Sequence, residues 1–260
     1  MHWVIQNNIF QEEGYEDFIE SVKRLNIPHT IVKVIPFVHE LEPHVEVDDE
    51  VMVFGSVVMS KIAKKYGWHT FLNDNFDLEV WTEKYKGYLL NEYLIWTLDY
   101  LENSPLNFYA GIFIRPISDD KSFNGQVLDT SYVSIYNFIH DLYNSGYATP
   151  ETKIALSSVK HIEKEYRFYV VDGWIQASSQ YKMNGKFTSA ECTDAGAELF
   201  AEEMINIWQP ARAFVLDVAL VEGEYKVIEI GNINHAGFYK ANVRNIVEAI
   251  YNMEFIGDWR

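Results

Sequence analysis

The order of segments along the chain predicts a mixed α/β and α+β protein, and three observations carry that expectation. Strand-like and helix-like runs alternate over the first 75 residues, which implies a small parallel sheet with its helices. The last hundred residues are rich in extended runs joined by tight turns, and 48% hydrophobic content over 260 residues is enough for more than one core. No internal repeat, low-complexity segment or long linker interrupts the sequence, so three lobes in series are expected, over 1–75, 76–155 and 156–260.

In the first lobe, 3–8 is an extended opener, and Tyr15 to Leu25 sets Phe18, Ile19, Val22 and Leu25 at helical spacing. His29 to Phe37 is β-branched and extended, with Pro36 near its end. Val51 to Phe54 is an apolar strand landing on Gly55 and Ser56, and Val57 to Gly67 reads as a helix closed by its glycine. In the middle lobe, Tyr85 to Leu101 reads as a helix rich in Leu, Tyr and Trp. Gly111 to Pro116 is a short strand, 118–125 a polar loop ending in glycine, and Tyr132, Ile135, Tyr136, Ile139 and Leu142 form a helical stripe. In the last lobe Lys153 to Ile162, Glu165 to Tyr181 and Phe214 to Ile230 are strand-like, with hairpin signals at Asp172-Gly173 and Glu222-Gly223. Ala195 to Trp208 and Tyr239 to Met253 read as helices.

Composition narrows the functional classes. A formal net charge of −17 repels phosphate backbones, so free nucleic acid is not an expected partner. Apolar runs are too short to cross a bilayer and 1–8 does not read as a signal peptide, so no membrane partner and a cytoplasmic location are expected. The single cysteine, Cys192, excludes an intramolecular disulfide and a multi-cysteine zinc site. No Walker-type phosphate loop, paired metal-binding histidines or serine-hydrolase elbow is present.

Three clusters carry candidate chemistry. Asp217, in V-L-D-V-A-L, and Glu229, in V-I-E-I, lie on successive strands of one hairpin, where alternate residues share a face. Two carboxylates aimed at one point repel unless a cation lies between them, and Mg2+ takes such ligands together with phosphate oxygens. Residue types alone leave open an exposed sheet face with both acids in solvent. Arg115 ends an apolar strand, and Lys121 with Gly125 lies in the loop beyond, a set suited to phosphate oxygens or to an ordinary surface loop. Glu163, Glu165 and Arg167 alternate on one face of a third strand, where the guanidinium can stabilise developing anionic charge or join a cross-strand ion pair.

In this order the clusters resemble the ATP-grasp superfamily over nearly the whole chain. The resemblance implies a small N-terminal α/β lobe and two α+β lobes that grip ATP. Phe113 to Pro116, followed by a loop ending in glycine, is similar to the family's strand bearing a phosphate-binding Lys, here Arg115, ahead of a flexible loop holding Lys121. Residues 155–173 are similar to the hinge and E-x-R strands, which implies Ser158, Val159 and Lys160 near the adenine and Glu165 and Arg167 toward phosphates or substrate. The strands around Asp217 and Glu229 resemble the metal strands. Where the family has Asn two residues after the metal-binding Glu, Gly231 stands here, and Asn232, one residue later, is the expected further ligand. Residues 53–68, 89–91, 165–173 and 237–239 resemble a phage- and bacteria-associated branch of the superfamily.

The activity so implied is an ATP-dependent carboxylate–amine ligase working through an acyl phosphate. Its cofactors would be ATP and Mg2+, and its substrates a small-molecule or peptide carboxylate and an amine, with Arg167 and Arg115 as catalytic cations. The alternatives are a MgATP-binding regulatory module without ligase activity and a phosphotransferase on the same fold. Oligomeric state is left open.

Overall fold

The computed structural model describes residues 1–8, 13–35, 38–104, 111–117, 123–129, 131–146 and 148–253. They form two compact units, Met1–Phe76 with Ile162–Arg260, and Asp77–His161.

The chain opens the first unit with β1 (His2–Gln6), α1 (Tyr15–Arg24), β2 (His29–Ile35), β3 (Glu40–Glu42), β4 (Val51–Phe54) and α2 (Val57–Tyr66). β1 pairs in parallel with β2 and β4, and β3 adds an antiparallel edge that the sequence did not signal. Val4, Val32, Val51 and Val53 pack with Met59 and Ile62 of α2 into one core. Gly67 closes α2 in the left-handed conformation at φ 72°, the role expected of it.

The second unit holds α3 (Leu78–Lys84), β5 (Leu94–Thr97), α4 (Leu98–Asn103), β6 (Ile112–Pro116), β7 (Gln126–Leu128), α5 (Tyr132–Ser145) and β8 (Lys153–Ser158). Its four-stranded antiparallel sheet runs β5-β8-β6-β7 over a core of Ile112, Ile114, Leu128, Ile139, Ile154 and Leu156. The expected single helix from Tyr85 to Leu101 is replaced by a turn, a strand and a short helix. Gly87 takes φ 92°, which a continuing helix does not accommodate, Leu94 to Thr97 pair with β8, and Thr97 caps α4 by accepting from the Tyr100 amide at 3.2 Å.

Returning to the first unit, the chain builds β9 (Lys164–Val171), β10 (Trp174–Met183), β11 (Lys186–Glu191), α6 (Ala195–Ile207), β12 (Ala213–Val221), β13 (Glu224–Asn232) and α7 (Val243–Tyr251). The five-stranded antiparallel sheet runs β11-β10-β9-β12-β13. The turns at Asp172-Gly173 and Glu222-Gly223 have positive φ at both positions, the geometry that lets a two-residue hairpin follow strand twist. Asn184-Gly185 makes a third such turn between β10 and β11. Helix α7 is shorter than expected: Asn242 caps it, and Tyr239 stands at φ 51° outside it.

One face of this sheet is apolar. Tyr166, Phe168, Phe214, Leu216 and Val218 are buried with Ala197, Ala201 and Met204 of α6. The Asp194 side chain caps α6 and accepts from the Tyr166 and Tyr225 hydroxyls at 2.5 and 2.6 Å. Burial and these bonds raise both phenols above their usual range, Tyr225 to about 12. Beyond β13, Asn234 fastens the sheet to the N-terminal one. Its Oδ1 accepts from Thr70 Oγ1 at 3.0 Å and the Phe71 amide at 2.8 Å, and its Nδ2 donates to the Val53 carbonyl at 2.8 Å.

Candidate functional site

The charged candidates gather on the other face of the same sheet. Strand pairing sets Ser179, Arg167, Asp217 and Glu229 side by side in one row across β10, β9, β12 and β13. Beside it a second row runs Lys182, Glu165, Ala219 and Lys226. Asp217 therefore faces Glu229 in direct register, as convergent carboxylates require.

A β-bulge brings that about. From the Glu222-Gly223 turn the two strands pair in step until Val218 meets Val227; the register then shifts, leaving Ile228 without an opposite number. A hairpin without the bulge would set Asp217 against Ile228 and turn Glu229 to the apolar face beside Leu216.

Asp217 is buried, and its carboxylate is taken by Arg167. The guanidinium donates from Nε to Oδ1 at 2.8 Å and from Nη2 to Oδ2 at 2.7 Å, a two-pronged pair, and the Tyr181 hydroxyl approaches Oδ2 at 3.4 Å. Burial opposes the guanidinium charge, but the Asp217 carboxylate overcomes it and holds the Arg167 pKa well above its usual value. Burial, then the charges of Asp217 and Glu165, push the Tyr181 phenol far up, so this hydroxyl stays protonated and donates. The rings of Tyr181 and Tyr239 stack at 5.0 Å, with the Arg167 guanidinium 5.6 and 5.2 Å from their centres. Glu165 is paired with Lys182 at 3.4 Å. Glu229 is half-buried.

Asn232 is not brought to this row. Three residues beyond Glu229, it opposes Phe214 rather than a site-face residue. Its Oδ1 accepts from the Asn234 amide at 3.0 Å, and its Nδ2 donates to Thr70 Oγ1 at 3.3 Å. Gly231 does lie on the site face, opposite Val215, where an added Cβ would stand 3.0 Å from a Val215 methyl.

The remaining candidates belong to the second unit. Arg115 lies on β6, on the face away from the core residues Ile112 and Ile114, with its guanidinium 6.0 Å from the Trp81 ring centre. Ser158 ends β8, and Val159 and Lys160 follow it, all exposed, just before the chain passes into the first unit. Lys121 lies outside the described residues.

Sequence reasoning missed Tyr181, Lys182 and Tyr239 as site neighbours. Two register shifts in the β9–β10 hairpin set Lys182, rather than Gln180, opposite Glu165, and no local sequence signal announces them. Period-two alternation, by contrast, was enough to place Asn232 away from Glu229.

Two facing carboxylates are a chemically suitable donor set for Mg2+, which binds through one or two carboxylates with phosphate oxygens and water completing its shell. Among the described residues no three His, Cys, Asp or Glu side chains converge as a protein-only metal cage.

The sequence pattern of an ATP-grasp domain, family 2 of the R-2-K clade, matches residues 92–249. Among solved structures, the chain is similar to a RimK domain ATP-grasp protein from Sphaerobacter thermophilus, with a TM-score of 0.62 and 8% identity over 97% of this chain and 100% of that one. It is similar to an L-amino acid ligase from Bacillus licheniformis, with a TM-score of 0.61 and 14% identity over 100% of this chain and 78% of that one. A D-alanine–D-alanine ligase from Bacillus anthracis gives a TM-score of 0.58 and 10% identity over 96% of this chain and 92% of that one. At these identities the likeness is one of fold. A comparison with curated protein sequences found no match. No helix among the described residues is long and apolar enough to cross a membrane.

Proposed function

The chain belongs to the ATP-grasp domain family, in family 2 of the R-2-K clade, and from that premise we propose that it is an ATP-dependent ligase joining a carboxylate to an amine. The γ-phosphoryl group of ATP passes to the substrate carboxylate, giving an acyl phosphate and ADP. The amine then attacks the acyl carbon and inorganic phosphate leaves as the new C–N bond forms. The observation that carries the proposal is the row of Arg167, Asp217 and Glu229 held in register on one sheet face.

Asp217 and Glu229 are the residues that would hold Mg2+, whose contribution is to neutralise phosphate charge. Arg167 supplies a permanently charged, forked donor matched to a phosphate or carboxylate. Arg115 is assigned to phosphate contact, Ser158 to Lys160 to the adenine, and Glu165 orients Lys182. Measuring phosphate release tests the assignment: Asp217→Ala and Glu229→Ala should each abolish ATP turnover, and unchanged turnover in both would overturn it.

Gly231 and the turned-away Asn232 favour a second reading, a MgATP-binding regulatory module, because neither adds a donor beside Glu229. It predicts MgATP binding with no ADP formed across a panel of amino acids and peptides.

A further inference from the structure

The pairing of Arg167 with Asp217 has a consequence for how the carboxylate row takes up a metal ion. Asp217 is 3% exposed, and the Arg167 side chain only 15%. Both carboxylate oxygens already accept from the guanidinium, and Oδ2 is also approached by the Tyr181 hydroxyl. Oδ2 thus has both lone pairs directed at donors, while Oδ1 keeps one. A cation arriving at Asp217 must share the carboxylate with a fixed positive charge at hydrogen-bond distance, and burial of the pair weakens solvent screening between the two.

Arg167 has another place to go. Its Nη1 already lies 3.5 Å from the Gly237 carbonyl oxygen, and the stacked rings of Tyr181 and Tyr239 flank the guanidinium. Tyr239 stands at φ 51°, a conformation that a bulky residue keeps only when its surroundings impose it, so this flank is built rather than incidental.

We infer that Arg167 is the resident counter-cation of Asp217, and that a divalent cation binds the Asp217–Glu229 pair only by displacing the guanidinium from it. Arg167 thereby acts as a positioning residue: it holds the Asp217 carboxylate in place in the metal-free chain and weakens the site for a metal ion alone. This rests on the assignment of Asp217 and Glu229 as the metal ligands.

The test is a Mn2+ titration of the full chain followed by electron paramagnetic resonance, without nucleotide and without turnover. Arg167→Met should bind Mn2+ at least about tenfold more tightly than the unaltered chain, and its melting temperature should rise more on Mn2+ addition, since an ion that binds only the folded state stabilises it. Arg167→Lys keeps the charge but loses the fork, and should bind with intermediate affinity. It serves as the readout if Arg167→Met does not fold. Asp217→Asn should lose the binding. If neither Arg167 variant binds Mn2+ more tightly while Asp217→Asn still abolishes binding, the displacement is wrong and the ligand assignment stands. If Asp217→Asn and Glu229→Gln both bind as the unaltered chain does, the ligand assignment fails and the displacement with it.

Discussion

The two faces of the β9–β12–β13 sheet use the same strands in opposite ways. Phe168, Leu216 and Val218 point to α6 and are held by burial alone. Their immediate neighbours Arg167 and Asp217 point the other way, Asp217 buried and Arg167 half-buried, and are held by a two-pronged ion pair. An apolar face asks little of geometry, because its stabilisation is non-directional. A buried charged face depends on one registered contact, and loses heavily if either partner goes. That contrast marks the charged face as the one kept for something besides stability.

Substitutions can break the contrast. Asp217→Ala leaves a buried guanidinium uncompensated and should cost about 3–5 kcal/mol in urea unfolding. Phe168→Ala, on the other face, should cost a similar 3–5 kcal/mol through its cavity. The faces should then part company. The double change Arg167→Met with Asp217→Leu should recover most of the lost stability, since an apolar pair of similar volume often matches a buried ion pair, while ATP turnover stays lost. No partner change at Met204 or Leu216 should restore Phe168→Ala so fully.

A smaller effect is expected at the turn that serves both faces. Gly223 stands at φ 79°, and Gly223→Ala should cost about 1–2 kcal/mol by forcing a side chain into the left-handed region. Smaller still is the alkaline response of the apolar face. Tyr225 keeps its proton up to about pH 12 when folded, against about 10 for a free phenol. Its contribution is therefore complete below pH 10 and lost as the pH rises from 10 toward 12, because the unfolded chain gives up the proton first. Urea midpoints at pH 9 and 11 should draw closer together in Tyr225→Phe.

Much of this arrangement was legible in the sequence, and the illegible parts share one physical cause. The Asp172-Gly173 and Glu222-Gly223 turns announced both hairpins, and the acids were readable on adjacent strands. Whether they shared a face was not, because that depends on the unpaired Ile228, and a single inserted residue reverses every side chain beyond it. The same holds for Lys182, moved opposite Glu165 by two shifts. The apolar run from Tyr85 to Leu101 fitted a helix by composition, yet Leu94 to Thr97 gain more as a strand beside β8. Asn232 was a different kind of miss, since its odd spacing from Glu229 already placed it on the far face.

The central claim, that Asp217 and Glu229 hold the metal of a bound nucleotide, is tested most directly by thermal unfolding with a non-hydrolysable ATP analogue and Mg2+. The unaltered chain should show a melting temperature that rises with analogue concentration, and the Asp217→Asn, Glu229→Gln double variant, once folded, should show no such rise. An equal rise in both proteins would contradict the claim.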